Sequence, residues 1–124
     1  MQDSETLVQT HAEAAHRLLK EADYELGRCN IGLTSEKLWE AATSAIKAVC
    51  VRREWPHEEY DHLQEAIDLL VKETGNDSLY TGFSIAYDGQ LFVGSLDEED
   101  VDADRPVVRR LVNNLLSVAE MKGE

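Results

Sequence analysis

The chain has 124 residues, 43% of them hydrophobic, and only two cysteines, so it can bury the core of one domain without disulfide staples. Its 25 acids against 12 bases give a net charge of −13. That excludes general affinity for a polyanion, because nucleic-acid binding rests largely on neutralising phosphates with Lys and Arg. RNA is therefore disfavoured as a partner except at a local basic spot, Arg52-Arg53 or Arg109-Arg110.

The first predicted helix carries Leu7, His11, Ala14/Ala15, Leu18, Ala22 and Leu26 at three- and four-residue steps, one apolar face over about 24 residues. Gly27 and Gly32 are expected to break it. A Thr34/Ser35 cap then opens SEKLWEAATSAIKAVCVRR, whose Leu38, Trp39, Ala42, Ala45, Ile46, Val49 and Cys50 cover a wide arc, as a central helix requires. Pro56 ends this helix or opens the third, with His57, Glu58 and Glu59 at its start. Tyr60, Leu63, Ala66/Ile67, Leu70 and Val71 form the third stripe, which stops at Gly75.

Asn76-Asp77-Ser78 caps a fourth helix through Leu79, Phe83, Ala86 and Tyr87. The stretch YDGQLFVG that follows reads as frayed helix, tight turn or short strand. In the acidic run 97–104, Asp104 is expected to cap a last helix beginning Arg105-Pro106, with Val108, Leu111/Val112, Leu115 and Ala119 facing inward. The run lacks the glycine and terminal Glu spacing of a calcium loop. No sustained strand alternation occurs. The expected fold is all-α, an up-and-down bundle of four to five helices in one domain spanning residues 1–124. No apolar run approaches the ~18 residues of a membrane span, and the N-terminus MQDSETLVQTHAEAAH has no signal-peptide pattern, so a cytoplasmic protein without a membrane partner is expected.

Few constellations carry chemistry. Two ExxH motifs, Glu13 to His16 and Glu59 to His62, match half of a di-iron bundle site. Helical geometry at ~100° per residue turns the first motif away from the apolar face and His62 out of the third stripe, so no metal is expected. His11 lies on the apolar face without a partner at ligand spacing. No motif activates Cys29 or Cys50, no glycine-rich phosphate loop occurs, and no cofactor is expected. That leaves Arg52 and His57. A metal-free ribonuclease needs a proton shuttle near neutral pH and a cation on the scissile phosphate, and these two residues supply both types. The same residues also suit a corner: arginines on a helix C-terminus, Trp55 plugging the bundle end, and a proline turning the chain.

The segment SEKLWEAATSAIKAVCVRREWPHEEYDHL, with LLKEADYEL upstream, resembles the small archaeal PaREP-type proteins of the HEPN superfamily. The likeness rests on SEKLW, the small residues of AATSAIKA, and an R-x-W junction followed by histidines. It implies a HEPN-like helical bundle, commonly a homodimer. HEPN relatives include metal-free ribonucleases of toxin–antitoxin and defence systems, accessory partners of nucleotidyltransferases, and members without activity. Arg52-x4-His57 has the ribonuclease spacing, but it sits one hairpin early and encloses a proline. SIAYDGQLFVG lacks the histidine that PaREP-type proteins carry in the fourth helix. The first expectation is thus a non-enzymatic dimeric interaction module. The alternatives are a metal-free ribonuclease using Arg52 and His57, and an accessory subunit of a nucleotidyltransferase.

Overall fold

The structure, a computed structural model, describes residues 3–91, 94 and 96–120. These residues form five helices: α1 (Ser4–Gly27), α2 (Ile31–Arg53), α3 (Tyr60–Thr74), α4 (Ser78–Leu91) and α5 (Glu98–Glu120). The fold is the expected all-α helical bundle. No helix among the described residues is long and apolar enough to cross a membrane.

Asp3 caps α1, its carboxylate accepting the Thr6 N–H at 2.8 Å. The helix buries Val8, Ala15, Leu18, Leu19, Ala22 and Leu26 on one face, against α2. The turn into α2 is tighter than the glycine spacing suggests. Cys29 takes a left-handed φ of +60°, and Asn30 caps α2 by accepting the Leu33 N–H at 3.4 Å. Hence Gly32 does not break the helix but lies in the first turn of α2, and Thr34 and Ser35 are buried one turn in, not caps.

Helix α2 is central, packing on α1, α5, α4 and α3. Ala41, Ala42, Ala45 and Ala48 are fully buried, so neighbouring backbones can approach α2 from several sides. Ile46, Ile67, Leu111 and Leu115 anchor the core, each contributing about 1.5–3 kcal/mol over an exposed position. Helix α2 closes at Glu54, which is left-handed (φ 60°, ψ 40°), and the Trp55 N–H reaches back to the Cys50 carbonyl at 2.8 Å. Pro56 and His57 then belong to the link before α3, not to its first turn. The Trp55 ring packs on the core and carries the Arg53 guanidinium at 5.5 Å, as a bundle plug should.

His62 Nδ1 accepts the backbone N–H groups of Glu58 and Glu59, both at 3.2 Å, holding the start of α3. Gly75, at φ +71°, ends α3, and the Asn76 side chain accepts the Ser78 N–H at 3.1 Å to open α4. Helix α4 runs to Leu91, so the first part of YDGQLFVG is helical; residues 92, 93 and 95 lie outside the described residues. Helix α5 starts earlier than expected. Asp97 and Asp100 cap each other's backbone, at 2.9 and 3.1 Å, in place of Asp104. Pro106 therefore sits inside α5. The turn before it is held by buried Val101 and by Arg105, which bonds Asp102 and Asp23 at 2.7 Å each. These anchors offset the one backbone hydrogen bond that proline removes.

Candidate functional site

The C-terminal turn of α2 places Arg52 where three helices meet. Its side chain is only 15% exposed. Nη1 and Nη2 grip both carboxylate oxygens of Glu5, in the first turn of α1, at 2.7 and 3.2 Å. Nε donates to the carbonyl of Ala119, in the last turn of α5, at 2.6 Å. The arginine thus ties α2 to a backbone carbonyl of α5 as well as to a carboxylate of α1. Arg53 is likewise committed, both of its terminal nitrogens lying 2.7 Å from Glu73. The Arg53 guanidinium holds the Glu73 carboxyl below its ordinary range.

His57 turns to a different partner. Its ring meets that of His11 edge-on, with centroids 6.1 Å apart. Burial pushes the His11 imidazole toward its neutral form, and His57 and Lys47 add repulsion against a second positive charge. The two sequence candidates thus face different groups: Arg52 faces Glu5 and a helix end, and His57 faces a half-buried histidine beside a lysine. A phosphate between them would have to displace Glu5 first.

The His11 environment sets a pH dependence. In the unfolded chain His11 takes a proton near pH 6.5, whereas in the fold it resists protonation to lower pH. Below 6.5 the unfolded chain therefore binds the extra proton, and stability is lost as pH falls through the lower folded value. Urea midpoints are expected to fall between pH 7.5 and 5.5 in the wild type and to fall less in His11→Gln. Equal slopes would show that the burial of His11 is not felt. The Arg53–Glu73 pair weakens only below about 4.5, so the two windows separate.

Glu13 and His16 are exposed on α1 and His62 is a cap, so neither ExxH motif points into the bundle. Among the described residues no group of three or more His, Cys, Asp or Glu is placed to hold a metal ion. Burial pushes the Cys50 thiol up to about 11, and the Glu98 carboxylate beside exposed Cys29 raises that thiol too; neither is an activated nucleophile. In the second basic spot Arg109 bonds Asp23 at 2.7 Å, while Arg110 is exposed. Beside it an open groove of about 690 Å³ is lined by Asp23, Asp97, Glu98, Glu99, Asp102 and Arg105, a wall that repels anions.

One surface feature escaped the sequence reading. Trp39 of α2, Tyr60 of α3, and Phe83 and Tyr87 of α4 form a continuous aromatic cluster. Tyr60 lies 4.7 Å from Tyr87 and 5.8 Å from Phe83, and Trp39 lies 5.2 Å from Tyr87 and 5.6 Å from Phe83. Phe83 is buried beneath, while Tyr60 is 38% exposed and Trp39 and Tyr87 are half-buried. Each ring sits on a helical stripe that reads as core by periodicity. The available signal is the heavy aromatic content of three stripes in a chain only 6% aromatic.

The bundle geometry is shared. A crystal structure of a protein from Sulfolobus solfataricus superposes with a TM-score of 0.75 over 86% of this chain and 97% of that one, at 21% identity, which establishes a common fold. No curated protein matches the chain. Residues 10–112 match the archaeal PaREP1/PaREP8 family, a span that holds the α2 hairpin, the Arg52–Pro56 corner and all four rings of the aromatic cluster. The chain belongs to that family.

Proposed function

We propose that the protein is a HEPN-like helical module without catalytic activity, which works as a homodimer through protein contact. The observation that carries this reading is the commitment of Arg52. Its guanidinium is held by Glu5 and by the end of α5, so the cation that a metal-free ribonuclease would offer to RNA is already neutralised. His57 meets His11 edge-on, while Arg52 is turned to Glu5 and Ala119. The net charge of −13 favours the same reading, because it opposes the approach of a nucleic acid.

The test compares RNA cleavage by wild type and His57→Ala at low ionic strength. No cleavage by either protein is expected. Cleavage by wild type that disappears in His57→Ala would overturn the proposal in favour of the ribonuclease reading. Sedimentation tests the assembly: a dimer is expected at micromolar concentration, and a clean monomer would remove that part.

A further inference from the structure

We propose that the Trp39–Tyr60–Tyr87 face is a docking site for an arginine-bearing segment of a protein partner. The proposal deepens the reading of the chain as an interaction module and rests on it. Three observations point to a cationic occupant. The first is the aromatic surface itself, with three rings from three helices reaching the outside above buried Phe83. Ring faces attract guanidinium groups, more strongly as the pair is desolvated.

The second is charge. Burial disfavours ionisation of the Tyr60 phenol, and Tyr87 and then the Asp88 and Asp61 carboxylates add to it. Both aspartates are exposed, and neither has an ion-pair partner among the described residues. Helix α4 contains no basic residue. In α3, His62 is turned to the backbone N–H groups of Glu58 and Glu59, and the one lysine, Lys72, is 12 positions beyond Tyr60, roughly 18 Å along the axis. Lys37, two positions before Trp39, pairs with Glu21 of α1 at 3.1 Å. Among the described residues the face therefore offers aromatic rings and carboxylates with no lysine or arginine paired to them.

The third is a comparison within the molecule. Tyr24 carries Arg28 over its ring at 5.6 Å, and Trp55 carries Arg53 at 5.5 Å. Among the described residues the Trp39–Tyr60–Tyr87 cluster has no such partner, although with Phe83 it joins four rings. A guanidinium supplied from outside completes the arrangement that the chain builds for itself elsewhere, with the aspartates as its hydrogen-bond acceptors.

The experiment titrates the protein with a capped Gly-Arg-Gly-Arg peptide and its lysine counterpart at 0.15 M salt, following the Trp39 indole and the tyrosine ring resonances. The arginine peptide is expected to shift the Trp39, Tyr60 and Tyr87 signals and to bind more tightly than the lysine peptide. Tyr60→Leu, which keeps apolar area, is expected to weaken binding about three- to tenfold. Asp61→Asn with Asp88→Asn, which leaves the packing intact, should weaken it by a similar factor. A charge-matched control, Glu13→Gln with Glu99→Gln, should leave it unchanged. Equal weakening by the control pair would reduce the effect to the overall negative charge and overturn the proposal. So would the absence of binding, or a wild-type dimer that Tyr60→Leu converts to monomer, since a second copy would then cover the face. RNA cleavage by the wild type would sink the non-catalytic reading alone; failure of the peptide titration without cleavage would sink the docking site alone.

Discussion

Arg52→Met is expected to lower the unfolding free energy by about 1–3 kcal/mol while leaving the helical content intact. The range follows from what the guanidinium holds. Its bidentate pair with Glu5 is half in water, because the Glu5 side chain is 54% exposed, so that share is roughly 0.2–1 kcal/mol. The larger share comes from the Ala119 carbonyl, which loses a charged donor at 2.6 Å in a partly buried setting. For a domain of 124 residues the loss reads as a drop in Tm of roughly 3–6 °C per kcal/mol. Arg52→Lys should fall between wild type and Arg52→Met, since it keeps the charge but cannot span the carboxylate and the carbonyl with one planar fork. A double-mutant cycle with Glu5→Gln should return only the small coupling. Thermal and urea melts decide the matter. An Arg52→Met protein as stable as wild type would mean that the clamp contributes nothing, and a reserved, reactive role for this arginine would regain force.

That clamp marks the boundary of what the chain's letters disclose. Helical stripes are local, and they were legible: Leu18, Ala22 and Leu26 recur at four-residue steps, and the structure buries all three. The wide apolar arc of α2 likewise announces a helix packed on several sides. Helix ends were less legible, for identifiable reasons. Helix α2 begins at Ile31 because Cys29 accepts a left-handed conformation that propensity assigns to glycine, which frees Asn30 to cap. Helix α5 begins at Glu98 because two aspartates cap each other ahead of Pro106, a residue whose usual place is a first turn.

The site was legible only as a list of residue types. Arg52 and His57 stand at a ribonuclease-like spacing, yet their partners are 47 and 67 positions away for Arg52, and on another helix for His57. No spacing along the chain encodes such contacts; they follow from how α1 and α5 pack on α2. The aromatic face was hidden for the same reason. Trp39, Tyr60, Phe83 and Tyr87 each fit a core stripe, and only the meeting of α2, α3 and α4 brings them to one surface.

That meeting depends on one close approach. Gly82 of α4 is buried against α5, and a methyl group added there would lie 2.8 Å from the Leu111 Cβ and 3.3 Å from its Cγ and Cδ2. The Leu111 Cβ is fixed to the α5 backbone, so rotating the leucine cannot relieve the overlap, and α4 must move outward. Overpacking of this kind costs about 1–3 kcal/mol, against a gain of at most ~1 kcal/mol from alanine's better helix propensity. Gly82→Ala is therefore expected to destabilise the protein by about 1–2 kcal/mol in urea unfolding. Gly32→Ala supplies the contrast: that glycine is exposed in the first turn of α2, nothing lies within 4 Å of the added methyl, and a small gain of up to ~1 kcal/mol is expected. The opposite signs separate contact from propensity, since both changes add the same group to a helix. Because α4 carries Phe83 and Tyr87, its outward shift should also loosen their packing on Trp39, altering Trp39 fluorescence in Gly82→Ala and leaving it unchanged in Gly32→Ala. A Gly82→Ala protein at least as stable as wild type would show that α4 and α5 do not cross at this distance, and the aromatic face would lose the support that positions it.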